Sequence, residues 1–257
     1  MVLCFNFRGT KFHVMKTLLM ALFCFAAAKI DAQIASGKLA GNDGAANKYY
    51  EFYDNSGNKI KNAGEEDVKG TPMFKEDWGS GVVKFKNGKE FKDSLMNFSL
   101  FENKLFFSKY NQIFIVSEPV EEFMITYKNE KGNFDKVHFK CGYPIVEKKD
   151  ANTFYEVLYE GQGLQLLRWE QKKINESYSY GGAREREFSL MQQLYVYEVK
   201  ENKMTDISST VSSIKKSLPQ CANYIDDYTA KHKLNSKDPQ QLISLFAFLD
   251  EKTVATK

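Results

Sequence analysis

The 257-residue sequence predicts an α+β fold, in which an antiparallel β-sheet meander is followed by C-terminal amphipathic helices. Short apolar runs alternate with turn residues from Trp78 onward, and the pair Asn87-Gly88 among them is the strongest short-range signal of a β-hairpin. After residue 207 the apolar spacing changes from two residues to the three or four of a helix. A chain in which the strands come first and the helices last favours an antiparallel sheet that the helices cover on one face or at one end.

The strand candidates follow one another with turn residues between them. The first is 48–54, and the chain from 55 to 77 is mostly polar and rich in turn residues. The later candidates are 82–86 with its continuation from 89, 94–101, 105–109, 113–117, 121–127, 134–141, 154–159, 164–170 and 188–200. The last three carry β-branched or aromatic residues at alternating positions. We therefore expect about nine or ten strands, in a curled sheet or a sandwich.

Three helical segments are expected between residues 207 and 250. The first has Val211, Ile214 and Leu218 at helical spacing, and Pro219 opens the second. The third, 236–250, is the best helix, with Ser236 or Asp238 as its N-cap and Pro239 near its first position. Its apolar residues recur at i, i+3, i+4 and i+7: Leu242, Leu245, Phe246 and Leu249.

The N-terminus has the pattern of a secretory signal peptide. Met15-Lys16 is a short basic start, residues 17–28 form an apolar run, and cleavage is expected after Ala32. Residues 1–14 are interpreted as an upstream extension, with Met1 and Met15 both open as the true start, and a retained N-terminal anchor is the alternative. This pattern predicts an exported protein, which is periplasmic, outer-membrane-associated or secreted.

The mature chain is expected to have two parts. Residues 33–47 are rich in Gly, Ala and Asn and predict a flexible arm. Residues 48–257 predict a single α+β domain, mostly β over 48–200 and helical over 207–250. Cleavage after residue 32 would leave 32 cationic and 32 anionic side chains. Because the formal net charge is then zero, no nucleic acid is expected as a partner. No integral membrane span is expected after signal removal, because the apolar run 17–28 is short and is removed with the signal.

The signal ends at Ala32-Gln33, the regular part starts with Trp78-Gly79-Ser80-Gly81-Val82, and a turn follows at Lys86-Asn87-Gly88. The meander is rich in Phe and Tyr, and the tail is rich in Lys. Together these features resemble uncharacterised exported, β-rich proteins of Bacteroidota. The resemblance covers most of the mature chain and implies an envelope or secreted location. It supplies no catalytic residue.

Cysteine and histidine are scarce in the mature chain. Cys141 and Cys221 are compatible with one disulfide in an exported protein, and two buried free thiols are the alternative. Strand alternation places His138 on the opposite face from Cys141, among lysines, where a solvated histidine is expected. With so few ligands dispersed over the chain, we expect no metal site and no cofactor.

No motif identifies a catalytic residue. Three pairs of acidic residues could be proposed for glycoside or peptide hydrolysis: Glu121 with Glu122, Asp226 with Asp227, and Glu185 with Glu187. Such chemistry needs two carboxyl groups about 5–10 Å apart across a cleft, which the sequence does not establish. A periplasmic or secreted hydrolase that uses a carboxylate pair on glycan or peptide is therefore the alternative interpretation.

The segment 172–186 is the best candidate for a contact surface. It is a polar stretch between two strong strand candidates, and it is interpreted as a long loop. Tyr178, Tyr180, Arg184 and Arg186 lie in it, and Tyr and Arg are enriched at interface hot spots. The sequence therefore predicts a non-catalytic binding module whose partner is an envelope protein or a glycan. A structural component of an envelope assembly is a further alternative, and the oligomeric state is left open.

Overall fold

The computed structural model has one mostly antiparallel sheet with helices at its C-terminal end. It describes residues 36–38, 51–53, 59–60, 68–109, 112–178, 182, 184–235 and 238–255, the first three segments by their backbone alone. All of them belong to one compact unit. The predicted signal peptide, residues 1–32, lies outside the described residues.

The described residues contain fourteen strands, three α-helices and one 3-10 turn. The strands are β1 Ser36–Lys38, β2 Glu51–Tyr53, β3 Lys59–Ile60, β4 Val68–Lys69, β5 Gly79–Phe85, β6 Glu90–Ser99, β7 Lys104–Lys109, β8 Gln112–Ile115, β9 Val120–Lys128, β10 Phe134–Lys140, β11 Tyr155–Glu160, β12 Leu164–Tyr178, β13 Arg184–Glu198 and β14 Lys203–Ile207. The helices are α1 Val211–Ser217, α2 Ala222–Lys231 and α3 Pro239–Ala255, with the 3-10 turn Pro219–Cys221 before α2.

The strand order is β14-β13-β12-β11-β10-β9-β5-β6-β7-β8-β1-β2-β3, and β4 is added to β13. Neighbours pair antiparallel, except for the parallel pair of β4 and β13. Ten strands have four residues or more, and they agree in number with the strands that the alternating pattern predicts. The β-rich antiparallel sheet followed by helices is thus confirmed.

The Asn87-Gly88 hairpin is also confirmed. Gly88 has a φ of 80°, which glycine adopts without a steric penalty, and its N–H donates to the carbonyl of Phe85 at 2.9 Å. The side chain of Asn87 accepts from the N–H of Lys89 at 2.9 Å. This turn therefore fixes how β5 and β6 meet.

The structure has strand pairing in three segments where the sequence predicted none. The segment 172–186 is not one long loop, because β12 continues to Tyr178 and β13 begins at Arg184. The segment 203–207, which follows the last predicted strand and was not assigned to an element, is the strand β14. Inside the predicted flexible arm, 33–47, Ser36–Lys38 pairs with β8 and β2. In each case the pairing of backbone groups across strands outweighs a local sequence pattern that lacks apolar alternation.

Two clusters make most of the core. The helices cover one face of the sheet, where Leu245, Phe246 and Leu249 of α3 pack with Leu166 and Val196. The second cluster is aromatic, since the rings of Phe98, Phe123 and Phe139 lie with their centroids 4.9–5.2 Å apart. Edge and offset contacts of this kind add to the apolar area that these rings bury.

The last helix is fastened to the sheet by a buried carboxylate. Asp250 of α3 accepts hydrogen bonds from the N–H groups of Gln162, Gly163 and Leu164, at 3.1, 2.8 and 2.7 Å. Gly161 is required beside it, because a Cβ there would lie 2.3 Å from Asp250 Oδ2. This contact holds α3 against the turn between β11 and β12.

Candidate functional site

The strands β12 and β13 form a hairpin that extends past the strands on either side; we call it the long hairpin (residues 164–198). On one side, β11 pairs only with residues 165–168, and on the other, β14 pairs only with 194–198. The strands β12 and β13 nevertheless stay paired from Leu164 with Glu198 as far as Tyr178 with Arg184. Its outer half, 172–178 and 184–190, therefore projects as a two-stranded ribbon, and in the part of the chain that the structure describes the two-residue strand β4 is the only further strand that pairs with it.

Three of the four predicted contact residues share one face of this ribbon. Tyr178 lies opposite Arg184, and Glu176 lies opposite Arg186. Directly opposed residues and those two positions apart along a strand point to the same face. Leu190 belongs to the same face, and Tyr178 and Leu190 are 72% and 50% exposed. We call these residues, Tyr178, Arg184, Arg186 and Leu190, the Tyr–Arg face; Tyr180 lies outside the described residues.

The two arginines of the Tyr–Arg face are both paired with Glu176. Arg184 forms a charge-assisted hydrogen bond with it, and Arg186 Nε lies 3.4 Å from Glu176 Oε1. The hydrogen bond from Arg184 lowers the pKa of Glu176. The three side chains carry one net positive charge, so the face combines exposed apolar groups with a cationic group.

The root of the outer half is held firmly. Phe188 packs edge-on against Phe101, with centroids 5.4 Å apart. Lys172 Nζ donates to the carbonyl oxygens of Thr71 and Met73, at 2.8 and 2.6 Å, and its backbone N–H donates to Leu100 at 3.1 Å. Burial lowers the pKa of Lys172. These contacts also bring β12 next to the β6–β7 turn, although four strands separate β12 from β6 in the sheet order, so the sheet is curled.

A buried charge cluster lies where the long hairpin joins the sheet. Arg168 donates to Glu156 Oε2 from Nε at 2.8 Å and from Nη2 at 2.5 Å, and its Nε lies 3.3 Å from Glu170 Oε1. The side chains of Glu156 and Glu170 are 11% and 7% exposed. Burial raises the pKa of Glu170, and the Arg168 guanidinium opposes the rise.

The sequence analysis did not single out this cluster. Its signal is the alternation in Leu-Arg-Trp-Glu, residues 167–170, where a charged residue stands at every second position of a predicted strand. Strand alternation puts Arg168 and Glu170 on one face. The third member, Glu156, is brought to them by the register of β11 on β12, which pairs Glu156 with Arg168.

Each of the three acidic pairs proposed from the sequence has at least one member in an ion pair. Lys84 Nζ lies 2.8 Å from Glu121 and 3.3 Å from Glu122. Asp226 is bound by Lys215 at 2.7 Å, and Glu185 by Lys69 at 3.1 Å. Exposed ion pairs of this kind are ordinary surface features.

His138 is less solvated than expected. It lies on the opposite face from Phe139, as strand alternation predicts, but only 22% of its side chain is exposed and its Nε2 is 2.9 Å from Glu122 Oε2. Although burial opposes ionisation of Glu122, the contacts with His138 and Lys84 outweigh it and lower the Glu122 pKa. In the part of the chain that the structure describes, no three His, Cys, Asp or Glu residues are grouped so as to hold a metal ion.

The two cysteines among the described residues, Cys141 and Cys221, are free and buried. Cys141 donates from Sγ to the carbonyl of Val120 at 3.2 Å, whereas Cys221 packs in the cluster between the helices and the sheet. Of the two alternatives that the sequence left open, the structure thus has the two buried thiols and not the disulfide.

Two cavities adjoin the charge cluster. One, of about 460 Å³, is lined by Trp169, Glu170 and Lys149 among others. The aromatic wall of this cavity, the Trp169 ring, is already covered by Lys149, whose Nζ lies 4.3 Å from the ring centre. The same Nζ pairs with Glu147 at 2.7 Å. The other, of about 520 Å³, lies between the start of α3 and the sheet, and Arg168 reaches it.

Comparison with known proteins gives no match: no protein-family model, no curated protein and no solved structure is significantly similar to this chain.

Proposed function

We propose that this chain is an exported protein that works by binding, and that the Tyr–Arg face of the long hairpin is its contact surface. The observation that carries the proposal is the projection of the paired strands past both neighbours, with Tyr178 exposed near the tip. A hairpin held by ion pairs and by its root presents these side chains with little further loss of conformational entropy on binding.

A protein of the cell envelope is the partner that this face fits better than a glycan. Tyr, Leu and Arg side chains on one face match the composition of protein interfaces, in which aromatic residues and Arg are enriched. The net positive charge of Arg184, Arg186 and Glu176 favours a partner surface with a carboxylate beside an apolar pocket.

Export is proposed on the signal-like pattern of residues 15–32, which implies a periplasmic, outer-membrane-associated or secreted protein. Among the described residues, no helix is long and apolar enough to cross a membrane. The test is the N-terminal sequence of the chain recovered from the envelope or the medium, which should begin at Gln33.

The contact surface is tested by replacing Tyr178. Mature wild-type protein and Tyr178→Ala are cross-linked in native cells, recovered by affinity tag, and compared by mass spectrometry for the proteins that come with them. Because large aromatic residues dominate interface energies, we expect Tyr178→Ala to reduce recovery of the specific partner at least ~10-fold.

The matched control is Phe134→Ala, since Phe134 is an aromatic residue that is equally exposed, at 73%, outside the long hairpin. It should recover the partner as the wild type does. Equal recovery by wild type and Tyr178→Ala would remove this face as the contact surface. A partner released by glycan-degrading enzymes would point to a glycan instead.

A hydrolase is the second candidate, and the cluster around Arg168 is the observation that favours it. Glu156 and Glu170 contact the same Nε atom, at 2.8 and 3.3 Å. Their oxygens therefore lie within about 6 Å of each other, comparable to the ~5–10 Å separation in glycoside hydrolases. The raised pKa of Glu170 is a property that a general acid needs.

The hydrolase ranks second because both carboxylates are nearly covered and contact Arg168, and because Glu156 does not line the cavity that Glu170 reaches. Hydrolysis of a panel of glycan and peptide substrates by wild type, Glu170→Gln and the exposed control Glu185→Gln distinguishes the two. Turnover by wild type that is lost in Glu170→Gln alone would establish the hydrolase in place of the binding module.

A further inference from the structure

The 520 Å³ cavity between the sheet and α3 has mostly apolar walls; we call it the Arg168 cleft. Its volume lies within the ~300–1,000 Å³ typical of small-molecule sites. Apolar walls come from β11, β13, the end of β14 and the start of α3, and polar groups stand at intervals among them. The apolar lining residues are Leu158, Leu194, Ile207, Pro239 and Leu242.

Arg168 is the charged residue among those that line the cleft, and part of its guanidinium makes no hydrogen bond to the described residues. Nε and Nη2 are bound to Glu156, and Nε also contacts Glu170. No described residue accepts a hydrogen bond from Nη1, which has two N–H donors. The side chain of Arg168 is 23% exposed, more than those of Glu156 and Glu170, so Arg168 is the member of the cluster that a ligand in the cleft can meet.

The charges around Arg168 select the kind of ligand. Two carboxylates already face one guanidinium, so an anionic ligand would meet at least as much negative as positive charge. A cationic ligand would meet the guanidinium itself, which donates hydrogen bonds and accepts none. An uncharged acceptor oxygen avoids both costs and gains a hydrogen bond from Nη1.

We propose that the Arg168 cleft binds a small, uncharged and largely apolar molecule whose carbonyl or hydroxyl oxygen accepts from Arg168 Nη1. This site is separate from the Tyr–Arg face and does not depend on it. Binding by the cleft would give the protein a second, small-molecule function at the junction of helices and sheet.

The first experiment uses two fluorescent probes of similar size. The neutral ketone 6-propionyl-2-dimethylaminonaphthalene has the proposed chemistry, and the anion 1-anilinonaphthalene-8-sulfonate does not. Each is titrated against mature wild-type protein. We expect one saturable site for the neutral probe and at least ~10-fold weaker binding of the anion. Absence of saturable binding of the neutral probe, or tighter binding of the anion, would overturn the proposal.

Substitutions then locate the site. Ser209 lines the cleft, so Ser209→Trp should fill it and weaken the neutral probe at least 10-fold. Ser212→Trp places the same side chain on an exposed position of α1 outside the lining and should leave binding unchanged. Arg168→Lys keeps a cation for the two carboxylates but removes Nη1, and should weaken the probe several-fold.

Thermal unfolding of each variant checks that the fold is kept, and Tyr178-dependent capture should be unchanged in Ser209→Trp. If Ser209→Trp and Ser212→Trp have the same effect on binding while both remain folded, the probe binds elsewhere and the cleft is not the site.

Discussion

Asp250 shows how a single residue holds two elements together. Its carboxylate faces three successive backbone N–H donors and the hydroxyl of Tyr159 at 3.3 Å. Asn has only one acceptor oxygen, and its NH₂ group would point at donors. Hydrogen bonds to a charged group contribute about 1.5–3 kcal/mol each, so we expect Asp250→Asn to lower the free energy of unfolding by about 2 kcal/mol or more.

Urea denaturation of purified protein measures this change. Glu251→Gln is the matched control, because Glu251 is next to Asp250 on α3 but is exposed, and this change should alter stability by less than about 0.5 kcal/mol. If the two variants were equally stable, the carboxylate of Asp250 would contribute no more than a surface charge.

Single residues also mark the limit of what the sequence predicts about the site. Tyr178 and Arg184 are exposed on the ribbon, whereas the side chain of Arg186 is only 17% exposed, and the part of these residues in binding stays a prediction. The meeting of Glu156 with Arg168 could not be predicted, because a shift in register between Val157 and Tyr159 interrupts the pairing of β11 with β12. A bulge of this kind changes which side chains share a face, and local sequence does not reveal it.

At the scale of elements, the amphipathic segments were predicted best. The third helix was expected over 236–250 and is α3, Pro239–Ala255, with Asp238 Oδ1 accepting from the N–H of Gln240 at 3.0 Å. Its predicted face is the buried one. The outer half of the long hairpin was missed, because both faces of a projecting ribbon are largely solvated and its alternation of apolar and polar residues is weak.

The docking of α3 gives an element-scale prediction. Leu245 is fully buried against the sheet, and Leu190 on the ribbon is 50% exposed. Leu245→Ala leaves a cavity and should lower the free energy of unfolding by about 2–5 kcal/mol. Leu190→Ala, the same change at an exposed site, should cost less than about 1 kcal/mol. Urea denaturation compares them, and equal losses would mean that α3 contributes little to the stability of the sheet.

At the scale of the whole molecule, the fold buries the thiols of Cys141 and Cys221 in a protein that we propose is exported. Burial raises the pKa of Cys141, and it raises the pKa of Cys221 to about 11. The thiolate is the reactive form, so both groups are protected by low ionisation as well as by packing. In an oxidising compartment this burial keeps the two thiols reduced. It does so only while the protein stays folded.

Reaction of the mature chain with Ellman's reagent at pH 8 tests this arrangement. We expect negligible labelling of the native protein and two thiols per chain in denaturant, with an exposed control, Ser244→Cys, labelled at once in the native state. Because labelling then requires opening of the fold, Leu245→Ala should label faster than wild type. Fast labelling of native wild type would contradict the burial of the cysteines. No thiol in denaturant would mean that Cys141 and Cys221 are joined, which would require both the end of β10 at Cys141 and the helical cluster at Cys221 to rearrange.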